Sequence, residues 1–451
     1  MRLHYSDEHW MAARGARQKI EEKSLIPVAP SLRPRRVVEV VASTCQRSSL
    51  PALLVLLVAS AQAEDWPTRM HDTQRSGVSQ MKLSVPLVQK WRVATPKPMK
   101  AWTEAPAQHD YAHNYRDLKQ RQNFDSCSDV VIAGSLVYFG SSVDGTVTCV
   151  DNATGGREVW RYATDGPVRF APHVAEGRVY FGSDDGCAYC LNATDGSLIW
   201  RTRAGPTDEM VWGNGHMISV WPVRTSVLVE DGEVYWTAGL FPEEGMYLCK
   251  RKASDGSGGW TVKPQVPPQG YLLVTADRLF VPTGKTQPRV YSRKDGSLLG
   301  QIGGERQGGS WALITPDKKV FWSGPGVHGA LHSHSSNTAK RVASIRGATR
   351  VVVTGDEVYY NTPSEIVKMN RRDGKDVWRK KQAYPYVLIV VGGTVFAGGD
   401  GRVAAFDGEG NKRWAGKVDG KVYGLAAADR CLYVSTDTGS IYSFCEQTNA
   451  K

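Results

Sequence analysis

Residues 168–203 read VRFAPHVAEGRVYFGSDDGCAYCLNATDGSLIWRTR. With a period of two, this stretch resolves into four short strands: Val168 to Val174, Arg178 to Ser183, Cys187 to Asn192 and Leu198 to Thr202. Between them lie Ala175-Glu176-Gly177, Asp184-Asp185-Gly186 and Ala193-Thr194-Asp195-Gly196. Loops this short, ending on a glycine where a positive φ is required, join antiparallel neighbours. The unit is a four-stranded meander, which needs packing partners on both faces.

The meander recurs. Its second-strand aromatic reappears at Tyr138, Tyr180, Tyr235, Phe280, Phe321, Tyr359, Phe396 and Tyr433, at intervals of 42, 55, 45, 41, 38, 37 and 37 residues. A second marker, a turn glycine followed four residues later by tryptophan, falls at Gly156/Trp160, Gly196/Trp200, Gly374/Trp378 and Gly410/Trp414, with Trp260 a variant. The units near Leu299 and Val342 lack the tryptophan. A period near 40 with four strands per period predicts an all-β, eight-bladed β-propeller. The last unit ends at Phe444-Cys445 without a fourth strand, while LVQKWRVA at 87–94 carries Trp91 with no blade in front of it. Pairing of these N- and C-terminal strands closes the ring and removes exposed sheet edges.

Composition suits one large β domain after a leader: 451 residues, 46 Gly, 14 Trp and 22% charged residues. The apolar run Leu50 to Ala59 is too short to span a bilayer comfortably; arginines precede it and Ala61-Gln62-Ala63 follows. This predicts a leader and secretory signal over 1–63, cleaved after Ala63, and an exported periplasmic or extracellular chain with no transmembrane segment. The long stretch before the apolar run leaves two readings, a true long leader or a later translation start. Cys45 precedes the apolar run, so it is not a lipid-carrying cysteine. Residues 64–130 form a lead-in holding the closing strand and a short helix at 111–124, whose Tyr111, Tyr115 and Leu118 keep helical spacing. The blades occupy 131–445.

Residues 1–63 hold 9 Lys and Arg against 5 Asp and Glu, which leaves 47 against 40, a net +7, beyond Ala63. That charge is dispersed, whereas a nucleic-acid binder concentrates it in a stripe. Seven cysteines follow the leader: Cys127, Cys149, Cys187, Cys190, Cys249, Cys431 and Cys445. Their odd number leaves at least one unpaired within the chain, and the sequence does not give the pairing. Cys149, Cys190 and Cys249 sit where a third strand needs a small core residue. Cys187 and Cys190 lie three apart on a strand and so face opposite sides, which argues against a shared disulfide or metal. His109 and His113, with Glu104 or Asp117, could clasp a metal, as could His328, His332 and His334 of one irregular blade, the last two sharing a strand face, but lone surface histidines are the commoner outcome; no metal is expected.

The repeated ATGG-x-x-x-W and DGSLIW patterns, with VYFGS-DDG before them, resemble the pyrroloquinoline-quinone (PQQ)-type, quinoprotein-like propeller repeat over about residues 87–445. That superfamily includes quinoprotein alcohol dehydrogenases and the propeller subunit of the bacterial outer-membrane assembly machine. Secreted members open with a segment similar to Asp65–Gly77. The resemblance implies that Trp91, Trp160, Trp200, Trp260, Trp378 and Trp414 dock blade on blade. It also implies that enzymatic members hold the quinone in a central pit with Ca²⁺ on Glu, Asn and Asp, commonly beside adjacent cysteines. This chain has no Cys-Cys pair; Asp208, Glu209 and Asn214 are the remaining carboxylate and amide candidates.

First strands line a propeller's channel, and their starts form its mouth. Those starts carry Arg169, Arg224, Trp311, Arg350, Tyr386 and Tyr423, a set of cations and aromatics suited to an anionic or sugar-like ligand or an acidic peptide. The competing reading is that the arginines pair with nearby aspartate turns. Residues 205–225 lengthen one connection and are expected to overhang the same mouth. The expected function is a non-catalytic, monomeric binding or assembly scaffold for a protein, peptide or carbohydrate, with no cofactor and no nucleic-acid partner. The alternative is a PQQ- and Ca²⁺-dependent oxidoreductase.

Overall fold

A computed structural model describes residues 64–102, 124–213, 215–284, 286–303, 308–309, 311–324 and 330–447. The leader, most of the expected 111–124 helix, His109 and His113 lie outside these residues.

Eight four-stranded antiparallel meanders follow one another: blade 1 at 130–163, blade 2 at 173–203, blade 3 at 228–262, blade 4 at 273–301, blade 5 at 311–346, blade 6 at 350–381, blade 7 at 387–421 and blade 8 at 422–446. No helix occurs among the described residues. Blade 8 borrows its fourth strand from the start of the chain. Leu87–Ala94 runs antiparallel to Ser440–Glu446, with Trp91 opposite Ser443, so the ring closes as its termini predict. Blades 7 and 8 share the 17-residue strand Lys412–Ala428, whose first half pairs with Asp400–Phe406 and second half with Cys431–Thr436.

In blade 2 the first strand is only His173–Ala175. Val168–Pro172 is irregular, because Arg169 is drawn inward to an aspartate while Pro172 has no N–H to offer a ladder. Apolar clusters fill the spaces between blades. Cys187 sits in the one shared by blades 1 and 2, Cys190 in the one shared by blades 2 and 3, as alternation along a strand requires. Both are unpaired and buried, as are Cys127, Cys149 and Cys249, whereas Cys431 and Cys445 are joined across the last two strands.

The blades interlock through tryptophan. The indole N–H of Trp160 donates to Ala193 O (3.0 Å), Trp200 to Ala253 O (3.0 Å), Trp260 to Arg293 O (3.1 Å) and Trp378 to Gly408 O (2.8 Å), each on the following blade. Trp91 reaches Asn152 of blade 1 at 2.8 Å, and Trp414 meets Leu87 O of the closing strand at 2.9 Å. In blades 4 and 5 the same slot, four residues past the turn, holds Gly300 and Ala343.

Candidate functional site

The far end of the channel is closed by the chain's own residues 64–79, which contact the inner strands of one blade after another. Trp66 bridges to Ile132 of blade 1, Pro67 O accepts from Val174 N of blade 2, and the Thr73 hydroxyl donates to Glu230 of blade 3. Thr73 O then accepts from Val274 N of blade 4 and Gln74 O from Ile314 N of blade 5, and Val78–Ser79 pairs in parallel with blade 7. This part of the lead-in threads the ring, because each first strand has an unpaired inner edge to satisfy.

Arg75 stands inside this plug. Its guanidinium donates to Leu272 O, Thr68 Oγ1, Arg69 O and Ser226 Oγ, and burial lowers its pKa to about 10. Above it, the Tyr271 ring is faced by Arg69 (4.5 Å) and Arg75 (5.5 Å), and Arg69 donates to Asp129 at 2.7 Å.

At the mouth, residues 95–102 and 124–128 cross the blade starts. Met99 N donates to Ser142 Oγ, Trp102 Nε1 to Gln269 Oε1, and Phe124 stacks on Phe170 at 4.7 Å. Beneath them Asp184, in the second-to-third-strand turn of blade 2, takes two arginines: Arg169 Nε at 2.5 Å on one oxygen, Arg224 Nε at 2.8 Å on the other. Arg169 Nη1 also donates to Met99 O (2.7 Å) and Asp125 (3.0 Å). Arg169 is 4% exposed and Arg224 1%. Burial opposes the Arg169 charge, but Asp184 and Asp125 outweigh it and raise the pKa; for Arg224 burial wins and lowers it. Burial likewise raises the Asp125 pKa against the pull of Arg169.

The six mouth residues read from the sequence resolve into three pairs. Arg169 and Arg224 share Asp184 and are buried, so they are not free cations on the surface. Arg350 lies over the Trp311 ring (5.3 Å), its pKa lowered to about 10 by burial and then by Arg69. Tyr386 and Tyr423 are in ring contact at 4.9 Å, with Lys421 over Tyr386 at 5.9 Å.

The competing reading, that the arginines pair with aspartate turns, matches Arg169 and Arg224 at Asp184, whereas Asp125, Arg69 and Arg75 were not singled out as hub residues. Aspartates in the DDG turn and the DSCSD segment look like ordinary turn formers, and only the ring brings them to one axis. The long connection after blade 2 forms a hairpin, Met210–Gly213 against His216–Ser219, anchored by Ser219 N to Asp184 O at 2.7 Å. Trp212 on it is 73% exposed and faces Met217, 46% exposed, directly across the ladder.

Among the described residues the candidate Ca²⁺ and quinone ligands do not come together. Asp208 and Glu209 point outward on the hairpin approach, Asn214 lies outside the described residues, and the hub carboxylates are engaged by arginines. Among the described residues no group of three His, Cys, Asp or Glu side chains is placed to hold a metal ion; His334 is buried beside His332, and His328 lies outside the described residues.

Similar folds include BamB from Moraxella catarrhalis (TM-score 0.56, 14% identity, 80% of this chain and 100% of that one). Another is quinohemoprotein alcohol dehydrogenase from Comamonas testosteroni (TM-score 0.60, 13% identity, 86% and 82%). At these identities the likeness is one of fold. Tetrathionate hydrolase of Acidithiobacillus ferrooxidans is 23% identical over 268 residues, 54% of this chain and 52% of the hydrolase, so this chain spans about half that relative's length. Residues 90–246 and 206–451 match the family described as outer membrane protein assembly factor BamB, and with its eight meanders and tryptophan locks the chain belongs to that PQQ-type propeller family.

Proposed function

We propose that this chain is an exported, non-catalytic propeller that docks a protein, peptide or carbohydrate partner on the mouth face. The observation that carries the reading is the Trp212–Met217 pair, a large apolar contact held out in solvent on a hairpin tied to the hub. An exposed tryptophan on a rigid support suits an interface anchor. The Trp311–Arg350 and Tyr386–Tyr423 pairs add aromatic and cationic contacts around the same mouth. The Cys431–Cys445 bridge agrees with export, since such bonds persist in oxidising compartments.

A photo-crosslinking residue in place of Trp212, introduced in the producing cell, is expected to give a discrete adduct that the same residue at Glu409 does not. The purified protein is expected to keep its absorbance and melting temperature when the quinone and Ca²⁺ are added. A quinone absorbance band with a Ca²⁺-dependent rise in melting temperature would establish the oxidoreductase reading instead.

A further inference from the structure

We infer that the Arg169–Asp184–Arg224 cluster, with Asp125, binds one compact monovalent anion, taken up together with a proton on Asp125. Three buried polar atoms in this cluster have no hydrogen-bond partner: Arg169 Nη2, Arg224 Nη1 and Asp125 Oδ1. Leaving buried groups of this kind unsatisfied is costly, more so when they are charged, so three in one ion-paired network point to a ligand. Beside Arg169 and Asp125 lies a cavity of about 10 Å³, lined also by Cys127, Ser128, Asp129 and Ser142 but not by Arg224, with room for about one water-sized particle.

Charge selects the ligand. Two guanidinium groups share the single carboxylate of Asp184, and the second carboxylate, Asp125, meets Arg169 through one oxygen only. Around the same axis Arg69 and Arg350 feel the charge of Asp129, and Arg75 that of Asp72. With Asp125 protonated, its Oδ1–H becomes a third donor beside the two free guanidinium N–H groups. A single negative charge then neutralises the Arg169–Asp184–Arg224 triad. The groups that meet Asp125 are Arg169, the Ala101 N–H and, at longer range, Arg224; burial already favours its neutral form. The space is too small for a sulfate-sized anion, so the proposed anion is monatomic.

Anion binding here and partner docking on the rim are separable, because Trp212 lies outside the cluster. The test uses bromide with the purified full chain. Crystals grown in bromide are expected to show an anomalous peak within hydrogen-bonding distance of Arg169 Nη2 and Arg224 Nη1. In solution the melting temperature should rise with bromide beyond a control of equal ionic strength made with a bulky sulfonate. The apparent affinity should fall about tenfold per pH unit above the Asp125 titration. Asp125→Asn, which keeps a donor without the charge, should bind bromide with no pH dependence, and Arg224→Lys should bind roughly tenfold more weakly. A water in place of the peak, or a melting temperature that follows ionic strength alone, overturns the site. If Arg224→Lys does not fold, the anomalous peak and the Asp125→Asn pH profile still decide.

Discussion

Trp160 of blade 1 lies against Gly196 of blade 2, with its ring 2.6 Å from where a Cβ on that glycine would stand, and Gly196 has φ +72°. Gly156, Gly256, Gly296 and Gly410 meet Trp91, Trp200, Trp260 and Trp378 in the same way. Gly374, which follows the blade lacking a tryptophan, has nothing within 4 Å of its virtual Cβ. Alanine at Gly374 should cost only the left-handed backbone term of roughly 1–2 kcal/mol. Gly196→Ala adds a steric clash worth typically 1–3 kcal/mol. Denaturant unfolding of the two variants measures the difference; equal losses would mean that the ring contact carries no energy.

The slot equivalent to Trp378 in blade 5 is Ala343, half-buried and facing toward blade 6. Ala343→Trp should insert a ring over Gly374 and stabilise the protein by about 1 kcal/mol through added apolar burial. A melting temperature that does not rise would show the seam already filled by other side chains.

Removing one member of the hub ion pairs strands its partner. Arg224→Ala is expected to cost about 3–5 kcal/mol, because Asp184 stays buried with half its compensation lost. The half-exposed pair Arg371–Asp317, at 3.0 Å, should lose less than about 1 kcal/mol on Arg371→Ala. Urea midpoints of both variants test the contrast.

His173 is buried, and its Nδ1 accepts the Val229 N–H at 3.1 Å, so the ring must be neutral to hold that bond. Burial, with Arg75 adding to it, lowers its pKa to about 3. In the unfolded chain the ring binds a proton near pH 6.5, so between about 6.5 and 3 the unfolded state holds more protons. The contribution is complete above pH 6.5 and falls by up to about 1.4 kcal/mol per pH unit as the pH drops toward 3. His173→Asn, whose amide oxygen replaces Nδ1 as acceptor, should flatten that part of the stability profile.

Cys431 and Cys445, 14 residues apart, tie together the last two strands, the second of which receives the closing strand. Reduction should lower stability by about 3 kcal/mol, the order expected for a loop of that length. A Cys431→Ala/Cys445→Ala chain with an unchanged unfolding midpoint would show that the ladder hydrogen bonds alone hold the closure.

Blade count, closure through Trp91 and the opposite facing of Cys187 and Cys190 were legible in the sequence, because strand alternation and turn chemistry are local and repeat eight times. The six mouth residues were legible as positions but not as states. The sequence offers Arg169 and Arg224 both as free cations and as partners of aspartate turns, and the second holds because Asp184 from a neighbouring turn and Asp125 from the segment over the mouth reach the same point.

The order of residues alone determined an all-β ring of eight repeats and the places where its interlocks are missing, Gly300 and Ala343, since both depend on spacing along one chain. Only the tertiary structure decided that residues 64–79 fill the channel and that three aspartates and five arginines crowd its axis. Electrostatics and burial act through space, and positions as distant as Arg75 and Leu272 become neighbours only when the ring has closed.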